Sequence, residues 1–396
     1  MKAAALAIVA SLALGVISPV TAATPIAGSA CSSLNSTKTS QGKKYTCIKS
    51  GKKYVWSKGR TVKPKNKDVK PIPEPSFLER WNATGSVALK PLQAMFPIKP
   101  AVHPPINLIW RYSEKVDSKI KNEITAQYLQ NIEFWRTYTK FDSQLQVIIG
   151  NLDDISFICQ WRDLHLSMTD PNCTTNFRTD KSRRWDAHTT QNNSKGTDFY
   201  FMTDPLVIND LDFIPRVPHE FFHNVQHAQT TRYKSVLPCW AEEAGAEYFG
   251  IAIASNGDPE KFLKLRFSNV AARVGSIQNS TSSTEFWKKW LFATDMNSIQ
   301  PGTNQWGCAS VQMEGIYHYG LLATEYLVQK FGIAGLLTIY QDSGNIGWDL
   351  AIERAFGKSK GDAYEEIANY MNQEYRITIA QTWARPKCQQ KCTNGL

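Results

Sequence analysis

Apolar positions along this chain recur with two periods, about two and about three and a half residues, and their alternation predicts a mixed α+β protein. Residues 106–112 and 145–149 read as strands, and 198–202 as a third. Between the first two, 116–137 carries Ile120, Ile124, Tyr128, Ile132 and Trp135 at helical spacing. The stretch 153–195 is polar, lacks a clear period and contains two cysteines; it is expected to be a long stapled loop. After Gly250 the pattern turns helical: 313–331, 333–340, 348–356 and 362–375 are predicted helices, separated by Gly332, Gly344-Asn345 and Gly357. Nearer the start, two short alternating runs around Ser50-Gly51 predict a β-hairpin.

The first 23 residues read as a signal peptide. Lys2 precedes an apolar run from Ala3 to Val20, and Thr21-Ala22-Ala23 suits the cleaving peptidase. No later apolar run is long enough to span a bilayer, so an exported, secreted protein is expected. Eight cysteines agree with an oxidising destination. Local spacing pairs Cys31 with Cys47, Cys159 with Cys173 and Cys388 with Cys392, leaving Cys239 with Cys308. The expected organisation is a signal peptide (1–23), a small cysteine-stapled basic module (24–60), a Lys- and Pro-rich linker (61–75) and one large domain (76–396).

Charge is uneven. The formal net charge is +10, yet residues 31–70 alone hold twelve Lys or Arg and one Asp. Setting those aside with Lys2, 32 basic and 34 acidic side chains remain. Basicity therefore belongs to the N-terminal segment. On an exported protein it suggests attraction to an anionic wall polymer or lipid surface, and a nucleic-acid partner is not expected.

The chemistry concentrates in 218–250. His219-Glu220-x-x-His223 on a helix puts both imidazoles on one face, about 6 Å apart along the axis, within reach of one Zn²⁺. Glu220 is then near the ion and badly placed to ligate it, as a general base for a metal-activated water should be. Pro215 and Pro218 fit only the first turn, so the helix should begin close to His219. His227 lies on the same face but about 12 Å from His219 along the axis, too far to share the ion. A third ligand must come from Glu242, Glu243 or Glu247 in the next predicted helix.

His219-Glu220-Phe221-Phe222-His223 followed by Trp240-Ala241-Glu242-Glu243-Ala244-Gly245-Ala246-Glu247-Tyr248 resembles the gluzincin metallopeptidases, thermolysin-like and aminopeptidase-N-like. The resemblance implies a zincin-like domain: a small mixed sheet, an active-site helix and a helical lobe. Its Trp-x-x-Glu spacing maps the third zinc ligand onto Glu243. The family's Gly directly after that Glu is Ala244 here, with Gly245 one later, which leaves Glu242 as the alternative. Glu247 takes the place of an acidic residue bonded to a zinc histidine. Tyr317-His318-Tyr319-Gly320 resembles the segment in which a Tyr three before the Gly donates to the tetrahedral intermediate. That implies Tyr317, with His318 and Tyr319 as competitors. The family's substrate-lining edge strand maps onto 197–202.

The combined expectation is a secreted zinc peptidase with ligands His219, His223 and Glu243, base Glu220 and oxyanion donor Tyr317. No Gly-x-Met-Glu-Asn element precedes the motif, which favours an endopeptidase. The alternatives are an envelope-binding protein on a non-catalytic zincin scaffold and zinc hydrolysis of a non-peptide bond.

Overall fold

A computed structural model describes residues 26–62, 75–96, 106–140, 144–167, 169, 171, 173–176, 185–192, 195–202, 209–230, 237–271, 282–295 and 315–381. The expected signal peptide, nearly all of the linker, and Cys308, Cys388 and Cys392 fall outside them. The chain divides into two compact units between Glu74 and Pro75.

The first unit is an antiparallel sheet of β1 (Thr37–Ser40), β2 (Lys43–Ser50), β3 (Lys53–Trp56) and β4 (Arg60–Thr61), with β2 pairing to all three others. The expected hairpin is β2–β3, and its turn holds Gly51 at φ 61°. Little is buried besides Tyr45 and Cys47. A core that small needs a covalent constraint, and the Cys31–Cys47 disulfide provides it.

The second unit opens with α1 (Phe77–Asn82) and α2 (Leu89–Met95). Ser76 and Glu79 form a reciprocal capping box at the first of these. Next come β5 (Leu108–Tyr112), α3 (Ser118–Trp135), β6 (Gln144–Gly150), α4 (Ile155–Leu166), the single turn α5 (Cys173–Asn176), β7 (Trp185–Asn192) and β8 (Lys195–Met202). The strands form one mixed sheet in the order β5-β6-β8-β7, parallel except for β7. The remaining elements are α6 (Arg216–Thr230), α7 (Cys239–Ser255), α8 (Pro259–Ala271), α9 (Thr284–Ala293), α10 (Ile316–Ile346), α11 (Trp348–Phe356) and α12 (Lys360–Ala380).

Strand alternation gives the sheet two apolar faces. Leu145, Val147, Ile149 and Tyr200 join the main core with α3 and α6. Ile148 and Phe199 point the other way, onto Ile158 of α4. In α3 the expected stripe Ile120, Ile124, Tyr128, Ile132 and Trp135 is buried, each side chain contributing roughly 1.5–3 kcal/mol. Helix α7 is central, buried on every side except at Glu242 and Ala254. Behind it, fully buried Arg266 of α8 binds Glu325 of α10 through two nitrogens (2.7 and 2.8 Å) and Glu374 of α12 at 3.1 Å. This pairing lets three helices share one desolvated charge cluster.

Several expectations are corrected. The region 153–195 is not one loop: it contains α4, α5 and β7, and the Cys159–Cys173 disulfide joins α4 to α5. The periodicity of α4 is masked because its buried side includes Arg162 and His165. The segment 197–202 is not the sheet edge. β8 pairs on both sides, and β7 is the outer strand. The motif helix starts at Arg216 rather than at His219, with Pro218 still in its first turn. Helix α10 passes through Gly344-Asn345 and ends at Gly347, while Gly332 is non-helical inside it (φ 69°, ψ 176°), at the predicted break. Cys239 is disulfide-bonded. Among the described residues no helix is long and apolar enough to cross a membrane.

Candidate metal centre

Helices α6 and α7 bring the chemistry together because small residues let them touch. A Cβ on Gly250 would lie 2.7 Å from the Pro215 carbonyl oxygen and 3.2 Å from His219 Cβ. One on Gly245 would meet the Tyr340 hydroxyl at 2.7 Å and Gln226 Nε2 at 3.1 Å. At Gly250 the first obstacle is backbone, so a larger side chain there would push the two helices apart.

Across that contact His219, His223 and Glu243 converge, with one ligand atom from each lying within 4.8 Å of the others. Nε2 of His219 and Nε2 of His223 are each 3.7 Å from the same Glu243 oxygen, Oε2. Donors on a tetrahedral ion with bonds of about 2.1 Å stand roughly 3.4 Å apart, so little movement would close this set on a cation. The imidazole planes are nearly perpendicular, at 81°. His219 and Glu243 are buried and His223 is half-buried.

Hydrogen bonds behind the trio fix which nitrogens face it. His219 Nδ1 donates to Glu247 Oε2 at 3.0 Å. Nδ1 of His223 is 2.9 Å from Gln226 Oε1, and the Gln226 amide nitrogen donates to the carbonyls of Glu242 (2.8 Å) and Ala241 (3.3 Å). Carbonyls only accept, so the amide orientation is determined and Nδ1 of His223 must be the donor. Both imidazoles therefore turn Nε2 inward, the nitrogen that would meet a cation once it carries no proton.

Glu247 is itself held. It accepts from Arg216 Nη2 at 2.5 Å and from Asn269 Nδ2, whose Oδ1 lies 3.2 Å from His318 Nδ1. Burial resists its ionisation, but Arg216 and His219 overcome that and hold its carboxyl at about 2. Burial likewise opposes charge on His219, while Glu243 and Glu247 raise it to about 9. Glu243 stays below the ordinary carboxylate value despite its burial, because both histidines stand beside it.

The Tyr317 ring stacks on His219 with centroids 5.9 Å apart and planes at 21°, close enough to Glu243 for the two side chains to shift one another's ionisation. Burial and the charges of Glu243 and Glu220 push that phenol well above its ordinary value, so it remains a donor. Of its competitors, His318 lies behind Glu247 and Tyr319 is buried against Trp287 and Tyr375. Neither Glu242 nor His227 joins the trio.

Glu220 is buried, and strand β7 reaches it. Thr189 Oγ1 lies 3.1 Å from Glu220 Oε2, 2.9 Å from the Glu220 carbonyl and 2.8 Å from Asp198 Oδ1. Asp198 on β8 also accepts from both Tyr128 (2.7 Å) and Asn224 (2.9 Å to each oxygen). No protein-family profile matches the chain, and no curated protein matches its sequence. The site is therefore described by its own geometry.

Sequence reasoning missed Gln226, Thr189, Asp198, Arg216 and Asn269. Gln226 carried a signal, being one helical turn after His223. Arg216 is only three residues before His219 on the same helix but is not a ligand type, while Thr189, Asp198 and Asn269 come from β7, β8 and α8, whose spacing to the motif is not local.

Proposed function

We propose that the chain is a zinc-dependent hydrolase acting on peptide bonds, a gluzincin-like endopeptidase with a zincin-like arrangement of sheet, motif helix and helical lobe. The observation that carries this reading is the convergence of His219, His223 and Glu243 with both Nδ1 atoms already engaged. Two imidazoles, once deprotonated at Nε2, and a carboxylate would form a donor set that suits Zn²⁺ and leaves a coordination position open. When bound there, zinc would supply Lewis acidity and make a water deprotonable near neutral pH.

The chain's own residues would do the rest. Glu220, beside the trio and without a ligand role, accepts the attacking water's proton and passes it to the departing amine. Thr189 lies against that carboxylate from the sheet edge. Tyr317, kept protonated, donates a hydrogen bond to the oxyanion. Strand β7, outermost in its sheet, could align an extended peptide by backbone pairing. Export of the chain, expected from residues 1–23, remains part of this proposal.

The test is cleavage of a mixed peptide library by wild type and by Glu220→Gln. The carboxamide keeps the shape and loses the base, so turnover should fall by about 10²–10⁴ with bound zinc unchanged. Equal cleavage by the two proteins would remove the peptidase reading. A zinc-loaded wild type that cleaves no peptide would favour a metal-stabilised scaffold instead.

A further inference from the structure

The described residues of the N-terminal unit carry positive charge with no acidic side chain among them. Its described residues include eight cations, Lys38, Lys43, Lys44, Lys49, Lys52, Lys53, Lys58 and Arg60, and no Asp or Glu. All eight are exposed. The strand register distributes them over both faces. Lys38, Lys43 and Lys49 share the face of Tyr45 and Cys47, while Lys44, Lys53 and Arg60 share the other. Lys44 and Arg60 stand directly opposite each other across the β2–β4 pair. Like charges in that position destabilise a sheet, and a bound anion would reverse the effect.

We propose that this unit binds a flexible, linear anionic polysaccharide whose repeat units carry carboxylate or phosphate. The distribution of charge over two faces selects the partner. A bilayer is flat and would meet one face, leaving the cations of the other in water. A flexible chain can pass over an edge and neutralise both. A single-stranded nucleic acid would need a series of exposed aromatic rings for its bases. Tyr54 is 42% exposed, but Tyr45 is buried and Trp56 half-buried. The contacts on offer are therefore mainly ionic. This inference does not depend on the peptidase reading.

The test uses the full chain and fluorescent alginate, a polyuronate, with anisotropy measured between 50 and 200 mM salt. Binding should weaken about tenfold or more across that range, as counterion release requires, and neutral dextran should not bind. K38Q/K43Q/K49Q and K44Q/K53Q/R60Q should each make the slope of log affinity against log salt shallower by about a third. K38R/K43R/K49R should bind like wild type, which separates charge from folding. The proposal is overturned if one triple has no effect, if anionic vesicles bind while alginate does not, if oligo(dT) is preferred, or if no salt-dependent binding occurs.

Discussion

Gln226 decides which nitrogen of His223 faces the cluster. Its amide nitrogen is committed to two carbonyls of α7, so its oxygen must take the proton on Nδ1. Glu247 does the same for His219 with a stronger, charged acceptor. Removing such an outer partner typically costs 10–100-fold in metal affinity, because the imidazole is then free to turn or change tautomer. Gln226→Ala should weaken zinc binding by roughly that factor, read by competition with a chromophoric chelator. An unchanged affinity would mean that packing alone orients the ring. Thr189 touches the Glu220 carboxylate from the sheet, sharing its single hydroxyl proton with Asp198 and the Glu220 carbonyl.

Strand β8 and helices α3 and α6 are joined at one carboxyl group, Asp198, which Tyr128 and Asn224 reach from either helix. Burial raises this group from 3.8 to about 7, although each of its donors pulls the other way. A folded value above the unfolded one means the folded protein keeps a proton that the unfolded chain releases. The stability this contributes is complete below about pH 4 and is lost as pH rises towards 7. In chelator, wild type should therefore lose thermal stability across that window relative to Asp198→Asn, which cannot titrate. Parallel melting curves from pH 4 to 7 would contradict the assignment. At this scale the sequence was legible where burial follows a single period. Helices α3 and α11 and the break at Gly332 all announce themselves through apolar spacing or glycine. Strand β7 does not, because Asp186, His188, Thr189 and Thr190 give it no apolar alternation; its partners are the sheet and α6. Helix α4 is hidden in the same way by buried Arg162 and His165. The metal trio was readable because two of its members lie four apart on one helix. The supporting shell was not, since Thr189 and Asp198 come from strands some twenty to thirty residues before His219.

Over the whole molecule, two units divide the work of charge and of burial. The described residues of the first have almost no core, a disulfide and eight exposed cations with no acidic side chain among them. The second buries its charges in matched groups, Arg266 with Glu325 and Glu374 in the helical region, and His219 and Arg216 with Glu243 and Glu247 at the α6–α7 contact. Among the described residues only the latter group turns ring nitrogens and a carboxylate to one point, with a further carboxylate, Glu220, beside it whose described side-chain hydrogen bond is to Thr189. A cation there would complete the contact between the two central helices. Elemental analysis of the purified full chain, wild type beside His223→Ala, tests this most directly. Wild type should carry about one zinc per chain and the variant almost none, with both showing the same helical circular dichroism. Zinc absent from both proteins, or present equally in both, would contradict a centre built from His219, His223 and Glu243.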